Sequence, residues 1–192
     1  MRGKKVSAFL HVSGEPLPQG EPLKPQWLKQ ACDIYFPVAE HSLGNGPDAV
    51  RQLLQQAHDD PLQAPGIEVL RTVLIEFMFE RVRRQEFPAC PRRTEAVFMF
   101  TSERSVRRYI AEYKTEPGLV YSCEVESGDR FLGDMALINR LRIKLSRDLA
   151  GQLARIQETA RLYWRSGDPA SMDWPEVLAT GRVVVRAPVL LN

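Results

Sequence analysis

Ile67 to Arg84 is the stretch that most restricts how this chain can fold. Ile67, Leu70, Leu74, Phe77, Met78 and Val82 recur at helical spacing, and Val69, Val73 and Phe79 widen the apolar face. A helix apolar over so much of its circumference has to be enclosed by other elements. It ends in Arg81, Arg83 and Arg84, cations that suit a helix C-terminus, and Pro88 and Pro91 stop it. The rest of the chain must supply the enclosure. With 192 residues, 44% of them apolar, it has the material for one domain with a sizeable core.

Strand signals are short and scattered. Val6, Ala8, Leu10 and Val12 alternate with more polar neighbours, Phe9 excepted, and predict a first strand. Gly14 to Pro25 follows, with four prolines and two glycines in a run that predicts a surface loop tied down at its ends. Ala96 to Phe100 and Leu119 to Val125 predict two more strands, with a turn at Ser127-Gly128-Asp129. Glu176 to Val185 ends in a strand after a Thr180-Gly181 turn, and the tail to Asn192 extends or edges it. Between them, Ser102 to Tyr113 reads as a helix with Ser102 as its cap. Met135 to Trp164 reads as one long amphipathic helix through Ile138, Leu141, Leu145, Leu149, Leu153, Ile156, Ala160 and Tyr163, with Gly151 as the expected weak point. Residues 26–65 are the least regular: a short helix from Trp27 to Ile34, a glycine loop, and a helix from Pro47 to about His58. Strands and helices mixed in this way leave α+β and α/β both open.

Charge and cysteine content exclude several function classes. A net charge of +2 argues against an electrostatic nucleic-acid binder. Cys32, Cys90 and Cys123 are odd in number and widely spaced, which fits reduced thiols in the cytoplasm rather than a disulfide framework. The N-terminal apolar run is too short and polar for a signal peptide, although a signal-peptide-independent secretion system would leave no trace of this kind. No segment predicts a membrane span. His11, His41 and His58 form no zinc motif, so no metal is expected, and no Walker, Rossmann or nucleophile-elbow sequence occurs.

The residues that remain are less conspicuous. Eight arginines (81, 83, 84, 92, 93, 104, 107 and 108) fall in the middle third of the chain. They read either as solvated helix faces or as an anion site, because arginine pairs bidentately with phosphate. His11 lies on a strand that runs into a proline-rich loop. Thr101-Ser102 closes the second strand. Asp134 and Glu176 are carboxylates beside later strands.

That order, F-L-H-V-S, then V-F-M-F-T-S-E-R-S-V-R-R-Y-I, then a late acid, resembles the ADP-ribosyltransferase superfamily. L-V-Y-S-C-E-V through G-D-M-A-L-I-N is similar to the rifampicin-modifying branch, with Asp134 as the acid. P-E-V-L-A-T-G-R-V-V-V is similar to the diphtheria-toxin-like ending, with Glu176 as the acid. The chain also resembles an uncharacterised bacterial family of the same layout, through Phe79-Glu80-Arg81-Val82-Arg83, Arg93, Tyr163-Trp164 and Glu176-Val177-Leu178. One departure stands out: Tyr109 and Tyr113 are four residues apart, whereas the toxin branch spaces its nicotinamide-clamping tyrosines about ten apart.

The resemblance implies an α+β fold with a small split β-sheet and surrounding helices, in a single domain over 1–192 with a helical insertion at about 26–65. It implies NAD as substrate and transfer of ADP-ribose to an acceptor: protein, nucleic acid or small molecule. His11 would bind a ribose hydroxyl, Ser13 would orient the nicotinamide amide, and Arg93 with Arg81 would pair with pyrophosphate. Phe100 or Tyr109 would offer a flat face, Thr101 and Ser102 would support the site, and Glu176 or Asp134 would stabilise the cation formed as the nicotinamide bond breaks. NAD hydrolysis, a non-catalytic module on the same fold, and nucleic-acid binding through the arginine-rich middle are the alternatives, with a toxin or effector role implied by the first reading.

Overall fold

The computed structural model describes residues 8–25, 28–59, 66–113, 118–165 and 167–191. It is α+β, with six α-helices and a six-stranded antiparallel sheet among these residues. The chain divides into two compact units. One is built on the sheet and holds residues 1–26, 95–136 and 166–192; the other is helical and holds 27–94 and 137–165. No helix among the described residues is long and apolar enough to cross a membrane.

The helical unit is organised by α3 (Ile67–Glu86), whose Leu70, Val73, Leu74, Phe79 and Val82 are buried as its pattern requires. Around it pack α1 (Leu28–Gly44), α2 (Pro47–Asp59) and α6 (Leu149–Trp164). α1 is longer than the short helix its sequence predicts, and it continues through Pro37. Packing overrides local propensity there: Cys32 and Ala39 are buried, and Phe36 meets Phe77 edge-on at 5.4 Å. Trp164 closes the far side, its indole N–H donating to the Phe79 carbonyl at 2.9 Å.

The expected long helix over Met135 to Trp164 is corrected by the structure. Only α5 (Met135–Asn139) and α6 are helical, and residues 140–148 between them are not. Gly151, the expected weak point, lies inside α6. Two local features accompany the break. Arg140 and Lys144 would stack like charges one turn apart on a helix. Instead, the Arg142 guanidinium donates to the carbonyls of Asn139 and Leu141, both at 2.6 Å.

In the sheet unit, β1 (Phe9–Ser13), β2 (Val97–Phe100), β3 (Leu119–Ser127), β4 (Arg130–Asp134), β5 (Pro175–Ala179) and β6 (Arg182–Pro188) take the order β4-β5-β2-β1-β3-β6. Val6 and Ser7 of the predicted first strand lie outside the described residues. The sequence predicts no strand at β4, because only the adjacent Phe131 and Leu132 of its five residues are apolar; its pairing along β5 holds it in place. β1 runs along β3 through five residue pairs but meets β2 at one, Leu10↔Phe100. The sheet is therefore two three-stranded halves joined along a narrow seam.

Two short links cross between the halves. Residues 128–129 join β3 to β4, and 180–181 join β5 to β6. The turns touch: a Cβ on Gly128 (φ +105°) would lie 1.9 Å from the Thr180 carbonyl oxygen, and one on Gly181 (φ +86°) 2.5 Å from that of Ser127. Links this short require the halves to fold toward each other. Val97, Met99, Cys123, Val177, Val183 and Val185 then form one core between them. On the other face, α4 (Glu103–Tyr113) packs with Val106 on Val12, Phe100, Val120 and Trp174. The proline-rich segment follows β6, with main-chain bonds from Gly20 to Val185 and Leu23 to Val183.

Candidate functional site

The register aligns one row of residues across the seam. Leu10 pairs with Phe100, Phe100 with Glu176, and Glu176 with Gly133. Residues paired across antiparallel strands share a face, so this row lies on the side covered by α4. Glu176 is 1% exposed, a carboxylate enclosed at the start of β5. Phe100 packs on Tyr109 at 5.2 Å, and Tyr109 on Tyr113 at 4.8 Å, one helical turn on. Burial raises the Tyr109 phenol above its ordinary pKa, and the charge of Glu176 raises it further. Tyr109 and Glu176 thus face the same interior.

His11 lies next to Leu10, and alternation turns it to the opposite face, opposite Tyr121. Its ring bridges the seam: Nδ1 lies 2.9 Å from the Phe98 carbonyl, two residues along β2 from Phe100. A carbonyl only accepts, so the contact puts the proton on Nδ1 and leaves Nε2 as an acceptor. Nε2 has no hydrogen-bond partner among the described residues. Burial holds the His11 pKa below its usual value, partly offset by the bond to Phe98. The ring is therefore neutral at pH 7.

The two candidate acids are treated differently by the fold. Asp134 accepts three backbone N–H bonds, from Ala136 at 3.0 Å and Trp174 at 2.9 Å on Oδ1 and from Asp173 at 3.1 Å on Oδ2. It fastens the turn that leads into β5. Two further contacts that sequence reasoning missed secure the same turn. The Trp174 indole donates to the Ser105 carbonyl at 3.1 Å, and Arg108 lies over the Trp174 ring at 4.4 Å while pairing with Asp173. The W-P-E run before β5 was the available sign, but its partners on α4 are about 70 residues away.

Ser102 caps α4, as expected, by accepting from the Ser105 amide at 3.2 Å. Thr101 is exposed beside it. Ser13 folds onto its own turn, donating to the Glu15 carbonyl and accepting from the Glu15 amide.

Arg93 and Arg81 belong to the helical unit. Arg93 is 6% exposed and engaged there, its Nε on Glu76 at 3.1 Å and its Nη1 on the Tyr163 hydroxyl. Arg83 and Arg92 share Glu80, and Arg83 also donates to the carbonyls of Pro88 and Cys90. Arg107 and Arg108 pair along or beside α4. Most of the arginine-rich middle is thus matched internally by carboxylates. Arg81 is exposed at the rim of a small cavity of about 210 Å³ lined by Leu43, Met78, Val82 and Leu153.

Burial pushes the thiols of Cys32 and Cys123 up to about 12, which makes both unreactive at neutral pH. No group of three or more His, Cys, Asp or Glu side chains suited to a metal ion occurs among the described residues.

Comparison with known families places this architecture. A model described as protein of unknown function, DUF2441, matches residues 45–189. The chain belongs to the DUF2441 family. The matched region runs from two residues before α2 to one residue past β6, so it includes Asp134, Glu176 and all of α4, while His11 and Ser13 precede it. No curated protein matches the chain.

Proposed function

We propose that this DUF2441 chain is an NAD-dependent ADP-ribosyltransferase that uses Glu176 as its catalytic carboxylate. The observation that carries this reading is the row across the seam: an enclosed carboxylate at the head of β5, aligned through Phe100 with the first strand, and an aromatic ladder of Phe100, Tyr109 and Tyr113 beside it. The two-part sheet, joined at one residue pair, supports the split-sheet fold expected from the resemblance.

The chemistry follows from these groups. Cleavage between nicotinamide and ribose passes through an oxocarbenium-like state, as in glycoside cleavage. A carboxylate in a water-poor site stabilises that positive charge more than it would in bulk water. Asp134 is less suited to the role, because three backbone amides already hold its two oxygens. His11 stands outside this reading, because its ring lies on the face of the sheet opposite Glu176. The reading does not use Arg93, whose guanidinium is committed to Glu76 and Tyr163.

The test is nicotinamide release and label transfer from NAD, with cell lysate as the acceptor source. Wild type should release nicotinamide, and Glu176→Gln should lower the rate about 100-fold or more. Without lysate, continued release would identify hydrolysis. NAD should also raise the melting temperature of wild type. Absence of both release and thermal stabilisation would refute the proposal.

A further inference from the structure

The helical unit carries a second cationic feature that the arginine count in the middle third concealed. Residues 140–148 have no helix or strand, yet side chains stitch them in place. The Gln152 amide bonds both polar groups of the Lys144 backbone, accepting from its N–H at 2.7 Å and donating to its carbonyl at 3.1 Å. Gln152 also donates to the Ser146 hydroxyl at 2.7 Å, and Arg51 on α2 donates to the Ser146 carbonyl. With Arg142 fastened over Asn139 and Leu141, the loop is held before any ligand arrives. Holding a loop in advance lowers the ordering cost of binding.

This loop and α6 border an open cleft of about 650 Å³. Arg140, Arg142, Lys144 and Arg155 bring four cations to it, against Asp148 and Glu158. Both carboxylates are matched: Asp148 pairs with Arg155 at 3.3 Å, and Glu158 with Arg161 at 3.2 Å. Arg142 and Lys144 have no carboxylate partner among the described residues. The cleft also has an apolar side, where Leu141 and Ile156 line it and Leu162 stands half-exposed on α6. The size falls within the range of small-molecule sites.

We infer that this cleft binds a small organic phosphate of the nucleoside diphosphate class. Lys144 and Arg142 would meet the phosphates, and the Leu162 side would cover the body of the ligand. Cations without carboxylate partners, on a held loop, suit a doubly charged group, and arginine presents its donors in the fork that phosphate accepts. The cations fall within one short loop and the first turns of one helix, which suits a compact ligand better than an extended polyanion.

Calorimetry on the full chain tests this with ADP, pyrophosphate and adenosine at one fixed salt concentration. ADP should bind, pyrophosphate more weakly, and adenosine not measurably. Lys144→Glu should weaken ADP about tenfold or more. The Lys144 side chain makes no bond among the described residues, so its variant should melt like wild type; Arg142→Gln is the second variant. Leu162→Ser should weaken ADP but leave pyrophosphate unchanged. ADP affinity equal in wild type and Lys144→Glu would overturn the inference. So would tighter binding of a single-stranded oligonucleotide with a steep salt dependence. Repeating the titration in Glu176→Gln separates this site from the one proposed above. ADP binding lost there and kept in Lys144→Glu would overturn the cleft assignment, whereas the reverse supports it whether or not NAD is cleaved.

Discussion

The two units satisfy their polar side chains in different ways. In the helical unit, buried carboxylates face guanidinium groups: Glu76 holds Arg93, and Glu80 holds Arg83 and Arg92. In the sheet unit, the main chain is the partner. His11 is held by the Phe98 carbonyl, and Asp134 by three amides. An ion pair consumes both charges and leaves a scaffold. A backbone contact orients a side chain while leaving part of its hydrogen-bonding capacity unspent, as at His11 Nε2.

The largest test of that contrast is Glu76→Ala. It strands Arg93 in the interior, and a buried pair broken on one side costs about 3–5 kcal/mol. Denaturant unfolding should show that loss, whereas Asp33→Ala, at the exposed pair with Lys29, should cost less than about 1 kcal/mol. Equal effects would erase the distinction. Next is Gly128→Ala. A positive φ with a Cβ driven into the Thr180 carbonyl should cost about 1–3 kcal/mol, read from the denaturant midpoint, and Gly167→Ala is the neutral comparison. Asp134→Ala comes third, at about 2 kcal/mol for unsatisfied backbone donors. It should also lower nicotinamide release less than Glu176→Gln does; the opposite order would exchange their roles.

The smallest effect is that of pH. Burial holds His11 below its unfolded pKa of about 6.5, so between the two values the unfolded chain binds the proton first. The stability contributed by the neutral ring is present above that pH and is lost as pH falls through it. Melting curves of wild type and His11→Gln should diverge between pH 8 and 5, with wild type falling further. Parallel curves would show that the ring is not enclosed as described.

The sequence made the local elements legible and hid what distant residues decide. α3 was clear because nearly every side of it is apolar, and α4 because Ser102 caps it. β4 was hidden because its two apolar residues, Phe131 and Leu132, are adjacent and show no alternation. The break after α5 was hidden because Leu141, Leu145 and Leu149 keep helical spacing, while Gln152 and Arg51 impose a different backbone from outside the segment. At the candidate site, Phe100, Tyr109 and Glu176 were all nameable from sequence, whereas the turn of His11 to the opposite face was not. What could not be read was that Asp134 spends both oxygens on the turn beside Glu176, since two of those three amides lie some 40 residues away.

The segment from Gly14 to Pro25 has a consequence beyond the site. It lies along the outer strand β6, and a bare outer strand is a template on which another chain can add. Its four prolines have no N–H to offer a further strand. It can therefore occupy the edge without becoming an edge itself, and it guards one side of the sheet against end-on growth into aggregates. The other side, β4, is only five residues long and carries Arg130 and Asp134, which blunts it by shortness and charge.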